Sequence, residues 1–112
     1  MRIVTKEANG IVFAELSGEL DHHSINAVRT ALDIELKIKS PTALVLDFED
    51  VSFMDSSGIG FVMGRYKVMQ EIGGKVIIQN PPNDIERVMR LSGLNRLVVI
   101  RFTDRSVNNK QH

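Results

Sequence analysis

The chain contains no cysteine, which excludes a disulfide framework and any thiolate metal centre. It also lacks net charge: fourteen basic and fourteen acidic residues cancel over 112 positions. That removes an electrostatic drive toward nucleic acid or an anionic membrane. Histidine is scarce, with His22 and His23 adjacent and His112 at the terminus. Adjacent histidines without a helical i, i+4 pair make a poor metal site, so neither metal nor cofactor is expected. No apolar run exceeds five residues, too few to cross a bilayer as a helix. The amino terminus runs into a strand pattern where a signal peptide would otherwise stand. No linker, repeat or low-complexity segment interrupts the sequence. The expectation is one soluble cytoplasmic domain with a single core, over residues 1–102, followed by a frayed polar tail over residues 103–112.

What is present alternates between two periods. Arg2–Glu7 and Ile11–Ser17 are β-rich and flank Asn9-Gly10, the pair that supplies the positive φ angles of a tight hairpin. Ser24 is placed to cap a helix running to Lys39, with Ile25, Val28, Leu32 and Leu36 on its buried face. Pro41 closes it. The unbroken run Leu44–Phe48 predicts a central strand covered on both faces. A second helix carries Ile59, Val62, Met63, Tyr66 and Met69 and ends at Gly73-Gly74. Lys75–Gln79 is the next strand. Pro81-Pro82-Asn83 then opens a third helix, in which Asn83 and Glu86 have capping-box spacing. Gly93 stops that helix, Leu94 folds back on Met89, and Leu97–Ile100 is the last strand. The order implies an α/β fold: a mixed sheet with a parallel centre and an opening β-hairpin, with helices packed on it.

The most informative stretch is Asp55-Ser56-Ser57-Gly58-Ile59-Gly60, where a strand hands over to a helix. A helix start offers open backbone N–H groups and the positive end of the macrodipole, an environment suited to an oxyanion. Three readings compete. Asp55 or Ser56 caps the helix; a serine is a hydrolase nucleophile; or a serine is a phosphorylation switch. The nucleophile elbow wants glycine two residues to either side of the serine, and neither Ser56 nor Ser57 has that. Gly58, Gly60 and Gly64 each cost about 1 kcal/mol of helix propensity relative to alanine, which implies a close approach by the protein's own sheet or by another surface.

A second polar cluster, Gly18-Glu19-Leu20-Asp21-His22-His23-Ser24, lies between the second strand and the first helix. If the second and third strands are parallel, both strand-to-helix loops share one sheet edge. Asp21, His22 and His23 then form either a recognition rim around the serine or a plain solvated loop. Ala27, Ala31, Ile34 and Ile38 on the first helix, and Phe61, Val68 and Ile72 on the second, lie opposite the main apolar stripes. Such residues mark helices more than half buried or a partner surface, and the first explanation is favoured.

Phe53-Met54-Asp55-Ser56-Ser57-Gly58-Ile59-Gly60, continued by Gly64-Arg65-Tyr66-Lys67, resembles the bacterial anti-sigma-factor antagonists of the STAS class. Gly18-Glu19-Leu20-Asp21-His22-His23, Ile72-Gly73-Gly74 and Leu91-Ser92-Gly93-Leu94 fall where that family has its other signatures. Gly-Arg-Tyr-Lys is more similar to members of the sporulation sigma factor F system than to their general-stress relatives. The sporulation members carry a longer C-terminal helix, where this chain has a short polar tail. The resemblance implies a STAS-type fold and partner switching. The unphosphorylated protein binds an anti-sigma factor that is also a serine kinase using ATP, and this frees a sigma factor. Phosphorylation at Ser56 ends the binding, and a PP2C-type phosphatase restores it. The resemblance also implies a kinase-facing surface of Glu19, Asp21, His22, His23, Asp55, Ser57, Gly58 and Arg65. On this reading the protein is no enzyme, is a monomer when free, and touches neither nucleic acid nor membrane. A stress or other signalling pathway is the alternative setting, and a serine hydrolase or a transporter's regulatory module are the other classes.

Overall fold

The computed structural model describes residues 1–103. Strands β1 (Arg2–Ala8) and β2 (Ile11–Leu20) form the expected hairpin. Its turn uses Asn9 at φ 54° and Gly10 at φ 77°, the paired positive angles that match strand twist. Helix α1 (Ile25–Lys39) leads to β3 (Ala43–Met54), α2 (Ser56–Ile72), β4 (Lys75–Gln79), α3 (Asn83–Leu91), a 3-10 turn (Leu94–Arg96) and β5 (Val99–Arg101). The five strands lie in the order β1-β2-β3-β4-β5. The first pair is antiparallel and all later pairs are parallel.

Register turns the apolar alternation into a layered core. Val12 faces Leu44 and Leu44 faces Val76; one layer on, Ala14, Leu46 and Ile78 line up. Those side chains join Ile25, Val28, Leu32 and Leu36 of α1, Phe61, Val62 and Met69 of α2, and Ile85 and Met89 of α3 in one buried cluster. Each such aliphatic side chain contributes about 1.5–3 kcal/mol by leaving water. All three helices therefore pack on one face of the sheet, yet Ala43–Phe48 of β3 are buried on both faces, as the unbroken apolar run predicts. On the other face Ala43, Val45 and Ile77 pack with Ile11 and Phe13, without any helix among the described residues. Ala43, Val45 and Asp47 of β3 are buried on that face too. Asp47 on that face accepts from the Glu49 amide at 2.9 Å and from Gln79 Nε2 at 3.2 Å.

Four local expectations change. Strand β3 continues six residues past Phe48, to Met54. Ser24 occupies the position before α1 but its side chain does not cap the helix. Asn83 is the first helical residue of α3, preceded by Pro82, so no capping box forms, and Glu86 instead accepts from Arg90 Nε at 2.8 Å. The helix ends hold as read: Gly73 (φ 94°) donates to Met69 O and Gly93 sits at φ 83°. The last strand begins at Val99 because Leu97 closes the 3-10 turn. The tail assigned to residues 103–112 lies outside the described residues beyond Thr103.

Candidate functional site: the edge where β2 and β3 end

Two irregularities in the β2–β3 ladder build this edge. Glu15 pairs with Asp47 but Ser17 with Asp50, and Gly18 pairs with Val51 but Glu19 with Phe53. The extra residues in β3 bulge it, and a bulge redirects the strand beyond it. The result brings Leu20 level with Met54. Both strands then leave the sheet together, and the Asp55 amide donates to Leu20 O at 3.4 Å. The two polar loops do share one edge.

Asp55 joins them. Its extended backbone (φ −99°, ψ −171°) places its carboxylate over the start of α2. Oδ1 accepts from the Ser57 amide at 2.8 Å and Oδ2 from the His22 amide, across the two loops, at 3.3 Å. The helix start is thus less open than expected, since the Gly58 amide also donates to Asp55 O at 2.9 Å. Of the two serines, Ser57 is half-buried and Ser56 is exposed. Among the described residues the Ser56 hydroxyl makes no hydrogen bond, and neither histidine ring bonds to either serine, so no catalytic triad is assembled.

The companion loop is braced from within. The Asp21 carboxylate accepts from the His23 and Ser24 amides, each at 3.0 Å. Ser24 Oγ, instead of capping, donates to Glu19 O at 2.9 Å. The Ser24 hydroxyl first, then the Ser24 amide, holds the Asp21 carboxyl below its ordinary value. His22 and His23 are exposed, their rings edge-on with centroids 5.6 Å apart. Glu19 is exposed at the same edge. Gly58 is buried against the floor: a Cβ there would run into the Met54 side chain and approach Leu20 Cδ2 to 3.4 Å.

Arg65 is not part of this rim. It is only 3% exposed, in the seam between α1 and α2. Its Nε lies 2.8 Å from Asp33 Oδ1, its Nη2 donates to Asp33 Oδ2 at 3.1 Å, and its guanidinium stands 5.0 Å from the Phe61 ring centroid. Burial pulls the Arg65 pKa down and Asp33 opposes that. Nothing in the sequence singles out Asp33, because a partner 32 positions away on another helix leaves no spacing signal.

The STAS domain pattern matches residues 2–108. An anti-sigma F factor antagonist of Paenibacillus polymyxa is 36% identical over 102 residues, covering 89% of this chain and 86% of that one. The chain belongs to the STAS-domain family of anti-sigma factor antagonists. An anti-sigma-B factor antagonist of Bacillus subtilis is more distant, 26% identical over 100 residues, 89% of this chain and 90% of that one. Among solved structures, the antagonist SpoIIAA in its unphosphorylated form superposes with a TM-score of 0.79 at 28% identity, covering 98% of this chain and 96% of that one. The Bacillus SpoIIAA in its phosphorylated form gives a TM-score of 0.72 at 28% identity over 99% and 100% of the two chains. The fold of this antagonist is the SpoIIAA-like STAS fold: a mixed five-stranded sheet with an antiparallel opening pair. Among the described residues no helix is long and apolar enough to cross a membrane.

Proposed function

We propose that this antagonist is the phosphorylation-controlled partner of an anti-sigma factor that is itself a serine kinase. Unphosphorylated, it binds that factor and displaces a sigma factor. Within the complex the kinase transfers the γ-phosphoryl group of ATP to Ser56. The Ser56 oxygen bonds to phosphorus, the bond from phosphorus to the β–γ bridging oxygen breaks, ADP leaves, and the hydroxyl proton passes to a base on the kinase. The phosphorylated protein then dissociates, and a PP2C-type phosphatase hydrolyses the ester. Residues 1–102 act as one cytoplasmic, monomeric domain with no turnover of its own.

The observation that carries this reading is the state of Ser56. It is the one hydroxyl of the Ser56-Ser57 pair that is exposed, beside a carboxylate that ties both edge loops together. Glu19, Asp21, His22, His23, Asp55, Ser57 and Gly58 then form or support the docking rim. The sporulation sigma factor F setting is favoured by 36% identity to the sigma F relative against 26% to the sigma B relative. A general-stress or other signalling pathway is the second reading. The test is tandem mass spectrometry after incubation with the organism's own anti-sigma F and anti-sigma B kinases and ATP. One phosphate on Ser56 and none on Ser57 is expected, from the sigma F kinase. A phosphate on Ser57 would overturn the site, and transfer by the sigma B kinase alone would overturn the pathway.

A further inference from the structure

On the side of α2 that carries Ser56 lies a hollow whose side chains are mostly apolar and which the switch itself does not use. It has a volume of about 80 Å³ and is lined by Ile59 and Met63 of α2 and by Ser92, Gly93, Leu94 and Leu97 at the corner after α3. The only side-chain hydroxyl in the lining, that of Ser92, already donates to Met89 O at 2.8 Å. Met63 and Leu97 form the rim, 39% and 42% exposed, while Leu94 is buried at 1%.

The hollow is continuous with the switch. Exposed positions on α2 recur at Ser56, Gly60, Met63 and Lys67, one stripe of the helix. Met63 is two turns from Ser56, about 10 Å along the axis. A partner covering a standard patch of about 800 Å² reaches roughly 16 Å from its centre. A partner of that size centred on Ser56 therefore extends as far as the hollow's Met63 rim. Between the two points the helix is bare: a Cβ added at Gly60 would meet nothing within 4 Å.

We infer that this hollow is an apolar anchor for the anti-sigma factor, seating one aliphatic or methionine side chain of that partner beside Ser56. The inference rests on Ser56 being the switch and adds a second, uncharged determinant to the same interface. The two determinants separate physically. The charge at position 56 acts through a screened field, whereas the anchor acts through buried apolar area, which salt leaves intact.

Calorimetric titration of the unphosphorylated protein with the organism's purified anti-sigma F kinase tests this. Met63→Gln and Leu97→Gln make the rim polar and add no charge; Leu91→Gln, at a residue 80% exposed and outside the lining, is the control. Each rim variant is expected to bind about threefold more weakly or worse, and the pair about tenfold, with equal loss at low and high salt. The control should bind as wild type, and Ser56→Asp should lose affinity in a salt-dependent way. Wild-type affinity in the double variant, with Ser56→Asp weakened, overturns the anchor alone. Undiminished affinity in Ser56→Asp overturns the switch and the anchor's basis with it. A rim variant that changes only self-association would assign the hollow to a second copy of this chain and overturn the proposal.

Discussion

At the scale of single residues, the site is governed by which polar atoms are already committed. Asp55 and Asp21 each accept two backbone amides, so both carboxylates have structural work before any partner arrives. Replacing Asp55 by alanine removes the α2 cap and the strut to His22 together. A cap alone is worth about 1 kcal/mol, so a loss of about 1–2 kcal/mol is expected in urea unfolding. A Cm equal to wild type would mean that water replaces both bonds without cost. Asp21 offers a pH test. Its carboxyl is held below the ordinary value of 3.8, so its contribution is present above the unfolded value and lost as pH falls through the lower folded value. The His23 and Ser24 amide resonances should share a titration step below pH 3.8 that Asp21→Asn removes. Asp55 was legible in the sequence as a cap. Ser24 was not, because serine satisfies a turn as readily as a helix start, and the Glu19 carbonyl that takes its hydroxyl belongs to a strand end no period reveals.

At the scale of elements, the hairpin, α1, β4 and the handover to α2 could be read directly, since each has a strict period bounded by Gly, Pro or Asn. Strand β3 could not be followed past Phe48. Glu49-Asp50 looks like a strand end, and two register shifts destroy the alternation that Val51 and Phe53 would otherwise show. Those bulges align Leu20 with Met54, so the feature that makes the site was the least visible one. The glycines of α2 divide just as sharply. Gly58 has an internal reason, because a Cβ would strike Met54; Gly60 and Gly64 have open space. Gly60→Ala should therefore stabilise the fold by about 0.5–1 kcal/mol. Gly58→Ala should cost about 1–3 kcal/mol through displacement of Met54. Paired thermal melts check both signs, and a stabilised Gly58→Ala would show that Met54 yields freely. On the α1–α2 seam, Asp33→Ala strands the Arg65 guanidinium in a buried position. Breaking a buried pair costs about 3–5 kcal/mol, and the partial exposure of Asp33 places this one at the lower end, about 3 kcal/mol. Unfolding that fits a loss under about 1 kcal/mol would show that water reaches Arg65 instead.

At the scale of the whole molecule, the proposed switch turns on how a group added at one exposed hydroxyl would end an interaction. A phosphoserine carries about −1.5 to −2 charges at neutral pH. Ser56 sits in the first turn of α2, where the helix dipole favours that charge and the neighbouring Asp55 carboxylate opposes it. Two amides already share the Asp55 charge, which softens the repulsion. The rows that hold the sheet to its helices, Val12-Leu44-Val76 and Ala14-Leu46-Ile78, include neither loop. Nothing in that packing is altered by a group at Ser56, so the fold should persist. The partner's side of the interface differs. On the proposed reading that partner is a kinase whose active site would already hold nucleotide phosphates, and a second dianion beside them in a partly desolvated interface would be strongly repelled. A loss of about 3 kcal/mol corresponds to more than a hundredfold in affinity. The expected result is amide shift changes confined to residues near Ser56 and Asp21, a melting temperature within a few degrees of wild type, and kinase affinity reduced more than a hundredfold. Ser56→Asp, with less charge and fewer acceptor oxygens, should reproduce only part of that loss. Shift changes spread through β1, β4 and α3 would mean that the switch works by refolding, and equal affinities for the two forms would remove Ser56 as the switch.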